Sequence, residues 1–179
     1  MTSILANRNT RPTVLAARIV GIAASTLFFG QNGTLSLISI PILLMAPVPV
    51  AARQFEKLWV LGHTTGPALA VITTLANAYV AYHLYPKSLA FKLSLAASSL
   101  APIIYSFTWA FMQDIDQKLF AKAKILGSSS PVDKGLDAGL PKSETTHGLI
   151  QMWGNRHLVR SSLATVSSIL AIWAALVAR

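Results

Sequence analysis

Trp153-Gly-Asn-Arg-His-Leu-Val-Arg160 opens onto a mainly apolar segment that ends near Val177, and its reading decides the fold. At about 100° per residue, Trp153, His157 and Arg160 fall within roughly 60° of one another on a helix. The same line continues through Ala164, Ser167, Ser168, Ala171 and Ala175, all small. A large aromatic, an imidazole and a permanent cation thus stand at the mouth of a segment that otherwise reads as membrane-spanning. Charge is costly in an apolar medium, so such groups face a bundle interior or a water-filled cavity. This strip is the first candidate for chemistry.

The whole chain supports the membrane reading. Of 179 residues, 53% are hydrophobic and only 12% charged, with a mean hydropathy of +0.54. Long apolar runs with so few charges mean an integral membrane protein in contact with the bilayer. The net charge is +9, but the cations scatter around apolar segments, as topology signals do, which argues against nucleic acid as a partner. Cysteine is absent, so disulfides, thiolate haem ligation, iron–sulfur clusters and cysteine nucleophiles are excluded.

Four apolar segments are predicted as spans, at about 13–45, 53–84, 88–112 and 143–177. The first is longer than a bilayer requires and must tilt, protrude or break, with Asn32-Gly33 the expected weak point. Pro47-Val-Pro49 is read as the breaker that ends it, Gly66-Pro67 as a kink in the second span, and Pro102 lies inside the third. The polar stretch 113–142, with its core Gly127-Ser-Ser-Ser-Pro-Val-Asp-Lys-Gly135, reads as a flexible loop. Ser143 is read as a helix N-cap, with Glu144 in the first turn. Ahead of the first span, Arg8 and Arg11 without a cleavage site suggest a retained signal anchor. The prediction is therefore all-α: a four-helix transmembrane bundle, one domain over 1–179, with one polar loop between helices 3 and 4. The Lys/Arg balance puts that loop in the cytosol.

Each of the other spans carries its own polar or small stripe. The second offers Glu56, Trp59, His63, Ala70, Thr74 and Asn77; the first Arg18, Ser25, Asn32 and Ser36; the third Ser94, Ser98, Tyr105 and Trp109. Small and hydroxylated residues are the normal glue of membrane helices, so the serines and Thr74 read first as packing. His63 and His157 are different, because each lies near a tryptophan and a further charged group. Glu144-Thr-Thr-His147 has the spacing of a di-iron half-site, but that chemistry needs a second motif and further carboxylates. No phosphate loop, dinucleotide fingerprint or Ser-His-Asp set is legible. No metal and no bound cofactor are expected.

The chain resembles the anthrone oxygenase-like family of small four-helix membrane proteins, common in fungal polyketide pathways. The resemblance rests on the first-span residues leading to Leu37-Ile-Ser-Ile-Pro41, on Trp59-Val-Leu-Gly-His-Thr-Thr-Gly-Pro67, and above all on Trp153 to Arg160 followed by an apolar helix with Trp173. The family pattern commonly has Asn at the place of His157, which leaves the base and the substrate open. The resemblance implies oxidation of an anthrone to an anthraquinone by molecular oxygen, without flavin, haem or metal, on a small aromatic polyketide substrate. His157 or His63 is then the expected base and Arg160 the oxyanion partner. Trp59 and Trp153 are the expected walls, with Asn77 and Tyr105 joining them in substrate binding. An endomembrane such as the endoplasmic reticulum is the expected location, and homo-oligomerisation stays open. The rival reading is a non-catalytic membrane scaffold, because small-residue stripes serve partner contacts equally well. A transporter is disfavoured by the lack of an inverted repeat.

Overall fold

The computed structural model describes residues 11–126, 130 and 137–178. Arg8 and nearly all of the expected loop core at 127–135 lie outside the described residues. Among the described residues all regular structure is helical. α1 is Pro12–Thr34; a π-helical turn, Leu35–Ser39, joins it to α2, Ile40–Met45. α3 is Val48–His83, α4 Leu89–Phe111, α5 Gln113–Leu126 and α6 Thr146–Val177. Pro12–Met45, α3, α4 and α6 are each long and apolar enough to cross a membrane. Their outward faces carry exposed Leu15, Ile19, Leu27, Leu37, Leu75 and Ile169, which is the pattern of a membrane protein turned toward lipid.

Several boundaries differ from expectation for identifiable reasons. The first span does not break at Asn32-Gly33; it widens one turn later, where the Ile40 N–H bonds to the Leu35 carbonyl. Pro41 supplies the cause, since its ring clashes with the carbonyl four residues back and its missing N–H leaves that carbonyl without a helical donor. A π turn absorbs such a conflict without ending the helix. The second span begins at Val48 rather than Arg53, because Pro49 sits in the first turn, where N–H groups have no helical partner in any case. The polar stretch 113–142 opens with a helix, α5, instead of a loop. Ile115, Leu119, Ala123 and Leu126 recur on one face of it and are buried.

α6 starts three residues after Ser143. Thr145 is its cap, with Oγ1 accepting from the Gly148 N–H at 3.1 Å. The Thr146 N–H donates to Asp137 Oδ2 at 2.6 Å, while Lys122 Nζ donates to Asp137 Oδ1 at 2.5 Å. Burial pushes the Asp137 carboxyl up, but the bonds from Lys122 and Thr146 outweigh it and hold the group below the ordinary carboxylate value. A carboxylate at a helix N-terminus is favourable for the same reason that Glu144 was expected there.

The described chain divides into two compact units. The first comprises the described parts of Met1–Gly30, Gly66–Ser106 and Ser162–Arg179. Phe28, Ala70, Ala101, Ile104 and Ala164 form its core. Thr26 Oγ1 meets Ser168 Oγ at 3.0 Å, and Ser167 Oγ donates to the Ala97 carbonyl at 2.9 Å. The second comprises Gln31–Thr65 and the described parts of Phe107–Ser161. Its core is larger-grained: Ile40, Leu43, Phe55, Met112, Ile115, Leu119, Leu149, Ile150 and Trp153.

At Gly148 the backbone of α6 closes on the turn before it: a Cβ there would stand 1.7 Å from the Lys142 carbonyl oxygen. Gly148→Ala must displace that carbonyl and is expected to destabilise the protein by about 1–3 kcal/mol. Gly30, where a Cβ meets nothing within 4 Å, is the control, and its alanine variant is expected to stay within about 0.5 kcal/mol of the parent or above it. Thermal unfolding in detergent compares the two. Equal midpoints would mean that the Lys142 turn yields freely.

Candidate active site

Two Trp/His pairs at i, i+4 spacing organise the second unit. On α6 the rings of Trp153 and His157 stack with centroids 4.5 Å apart and planes 20° apart. On α3, Trp59 and His63 stack at 4.3 Å and 9°. The helix repeat puts each pair on one face, and a flat ring over a flat ring is the contact that spacing permits. Each tryptophan is also fixed by an edge-on phenylalanine: Phe55 against Trp153 at 5.2 Å, and Phe120 against Trp59 at 4.8 Å.

The indoles converge on Asp116 of α5. Trp153 Nε1–H donates to Asp116 Oδ1 at 2.8 Å, and the Trp59 side chain also favours the charged form of this carboxyl. Burial pushes this carboxyl above its ordinary value, and the two indoles with the Arg160 guanidinium oppose that push without cancelling it. Arg160 also points Nη1 at the Met112 sulfur, 4.0 Å away. Arg156 donates to the Phe111 carbonyl.

His157 is buried, at 2% exposure. Its Nδ1 lies 2.8 Å from Ser36 Oγ, within the π turn. Ser36 Oγ in turn donates to the Asn32 carbonyl at 3.1 Å and lies 3.1 Å from Ser161 Oγ, which donates to the His157 carbonyl at 3.0 Å. The result is an imidazole with one face on an indole and one edge held by hydroxyl groups. Arg160 follows one turn later on the same helix face.

Trp59, His63, Trp153, His157 and Arg160 thus belong to one unit. Trp153 is buried, Trp59 half-buried and His63 exposed. Asn77 and Tyr105 belong to the other unit. Asn77 is buried there, with Nδ2 donating to the Thr73 carbonyl at 2.9 Å and Oδ1 against Gly21. Tyr105 is exposed on α4. An open groove of about 400 Å3 along α3, lined by Val50, Arg53, Gln54, Lys57, Leu58 and Leu61, includes none of these residues. His147 Nε2 lies 2.9 Å from the Ala46 carbonyl, so it serves the turn between α2 and α3. No group of three or more His, Cys, Asp or Glu side chains with metal-binding spacing occurs among the described residues.

Sequence reasoning missed Asp116 and read Ser36 as packing. A signal for Asp116 was present: it is one of only six acidic residues and stands between Ile115 and Leu119. Reading the stretch as loop hid the helical face that carries it inward.

A family model described as anthrone oxygenase matches residues 55–170. A protein of Dothistroma septosporum named monooxygenase hypC is 24% identical over 156 residues, covering 86% of this chain and 80% of that protein. Anthrone oxygenase encC of Aspergillus fumigatus is 26% identical over 89% of this chain and 92% of its own length. Anthrone oxygenase AgnL2 of Paecilomyces divaricatus is 27% identical over 87% and 92%. No solved structure matches the chain.

The raised Asp116 carboxyl has a consequence for stability. Its neutral form favours the fold, so that contribution is complete below the ordinary value of 3.8 and declines as pH rises through the raised folded value. Asparagine keeps a carbonyl acceptor and never ionises. The thermal midpoint of Asp116→Asn, taken relative to the parent, is therefore expected to climb between pH about 4 and 7. A difference that stays flat with pH would mean that the indoles and Arg160 fully compensate the ionised group.

Proposed function

The chain belongs to the anthrone oxygenase family, and on that premise we propose that it oxidises an anthrone-type polycyclic phenol to the quinone with molecular oxygen in polyketide metabolism. The names of the relatives support the substrate class, and the apolar setting suits both a flat aromatic and dissolved oxygen. The observation that carries the reading is His157, a buried imidazole seated on an indole, with Arg160 one turn away.

The chemistry needs a base and an anion stabiliser, and no organic cofactor or metal. The methylene of an anthrone is acidic because its conjugate base is a delocalised anthracenolate. His157 takes one methylene proton as general base. The guanidinium of Arg160 stabilises the enolate oxygen as charge develops, an effect that strengthens where water is excluded. The electron-rich carbanion carbon passes electrons to oxygen and forms a C–O bond, and the proton on His157 completes a hydroperoxide. Removal of the second methylene proton expels the outer oxygen as water and leaves the carbonyl. One anthrone and one dioxygen thus give one quinone and one water. Trp59, half-buried, supplies a planar wall, and Trp153 acts through its stacking on His157. His63, on the exposed side, is the second candidate base.

Oxygen uptake by the detergent-solubilised protein given an anthrone, scored against spontaneous oxidation, tests this reading. His157→Ala is expected to lower kcat about 10²–10⁴-fold, and Arg160→Ala about 10²–10³-fold. His63→Ala is expected to have the smaller effect. Turnover unchanged in both the His157 and Arg160 variants would remove these residues from the site.

A further inference from the structure

We infer that Ser36 is a positioning residue: its hydroxyl holds His157 in the Nδ1–H tautomer, so that Nε2 carries the lone pair offered to substrate. The inference rests on the reading of His157 as the base, and it identifies which nitrogen acts and what makes it act.

The basis is a count of protons around one oxygen. A serine hydroxyl has one proton to donate and two lone pairs to accept with. Ser36 Oγ has three neighbours: the Asn32 carbonyl at 3.1 Å, Ser161 Oγ at 3.1 Å and His157 Nδ1 at 2.8 Å. The carbonyl can only accept, and it lies where the Ser36 proton can be directed. Ser161 has its own fixed acceptor, the His157 carbonyl at 3.0 Å, one helical turn back. With both hydroxyl protons directed to carbonyls, the 2.8 Å contact takes its proton from Nδ1–H. Two of these acceptors are backbone carbonyls, so the polarity of the chain is set by the helices rather than by rotatable side chains. In a neutral imidazole with Nδ1 protonated, Nε2 is the basic atom.

The fold invests in this contact. Ser36 lies in the π turn that Pro41 enforces, and π turns change the direction in which the residues after them point. The ring cannot easily rotate to exchange its nitrogens, because one face lies on Trp153 and Trp153 is itself tied to Asp116. Serine is a weaker partner than the carboxylate that orients histidine in hydrolytic triads, but it is uncharged, which suits a buried apolar setting.

The test reads the tautomer directly. Nitrogen-15 NMR of the detergent-solubilised protein, labelled on histidine and assigned with His157→Ala, distinguishes Nδ1–H from Nε2–H without any substitution at Ser36. Nδ1–H in the parent is the expected result, and Nε2–H overturns the inference at once. Ser36→Ala is then expected to release the tautomer preference and lower kcat about 10–100-fold, the range for loss of a group that orients an imidazole, with KM little changed. Ser36→Thr keeps the hydroxyl and is expected to restore both readouts. Should Ser36→Ala leave tautomer and kcat unchanged while His157→Ala abolishes turnover, the role of Ser36 falls and His157 stands as base. If His157→Ala turns over normally, the base reading falls, and with it the catalytic part of this inference.

Discussion

A single carboxyl group, bonded by one indole N–H and flanked by a second indole, organises the second unit of this protein. Asp116 comes from α5, Trp153 from α6 and Trp59 from α3. A carboxylate accepts and an indole nitrogen donates, so the Trp153 pairing has one sense only and sets the rotation of that ring. Each indole then lays a face on the histidine one turn further along its own helix. The orientation of His157 therefore traces back to an acidic residue that never touches it.

The solvent explains why the arrangement is built this way. In lipid, a polar group that lacks an internal partner has no water to fall back on. Several polar side chains of the spans accordingly find partners within the protein: Thr26 with Ser168, Ser167 with the Ala97 carbonyl, Ser36 with His157 and Asn32. Apolar side chains need no partner, and many of them turn outward. Asp116 lies outside the four spans, on the amphipathic α5, and reaches inward from there. That placement brings an acidic group to Trp153 without crossing hydrocarbon.

The span count, the helical class and the shared face of Trp153, His157 and Arg160 were legible in the chain, because each rests on short-range periodicity. The Trp59/His63 pair was legible for the same reason: i, i+4 neighbours meet on any helix. Asn77 and Tyr105 show where that logic stops. Both fall on plausible stripes, yet Asn77 turns to the Thr73 carbonyl one turn back and Tyr105 faces outward. Periodicity identifies a face and says nothing of what the face meets. α5 was lost to composition: the glycine, serine and proline that follow it coloured the whole stretch as loop, while Ile115, Leu119, Ala123 and Leu126 mark a helix that leans on a core formed by other segments.

Four helices long and apolar enough to cross a membrane, and the aromatic, imidazole and guanidinium groups that share a helix face, follow from the chain alone, because hydropathy and the 3.6-residue repeat are local properties. The bond from Trp153 to Asp116 and the reach of a first-span serine to His157 come from packing instead. Those contacts link residues 37 and 121 positions apart. Their existence depends on the register of packed helices and on one π turn, which no local repeat encodes.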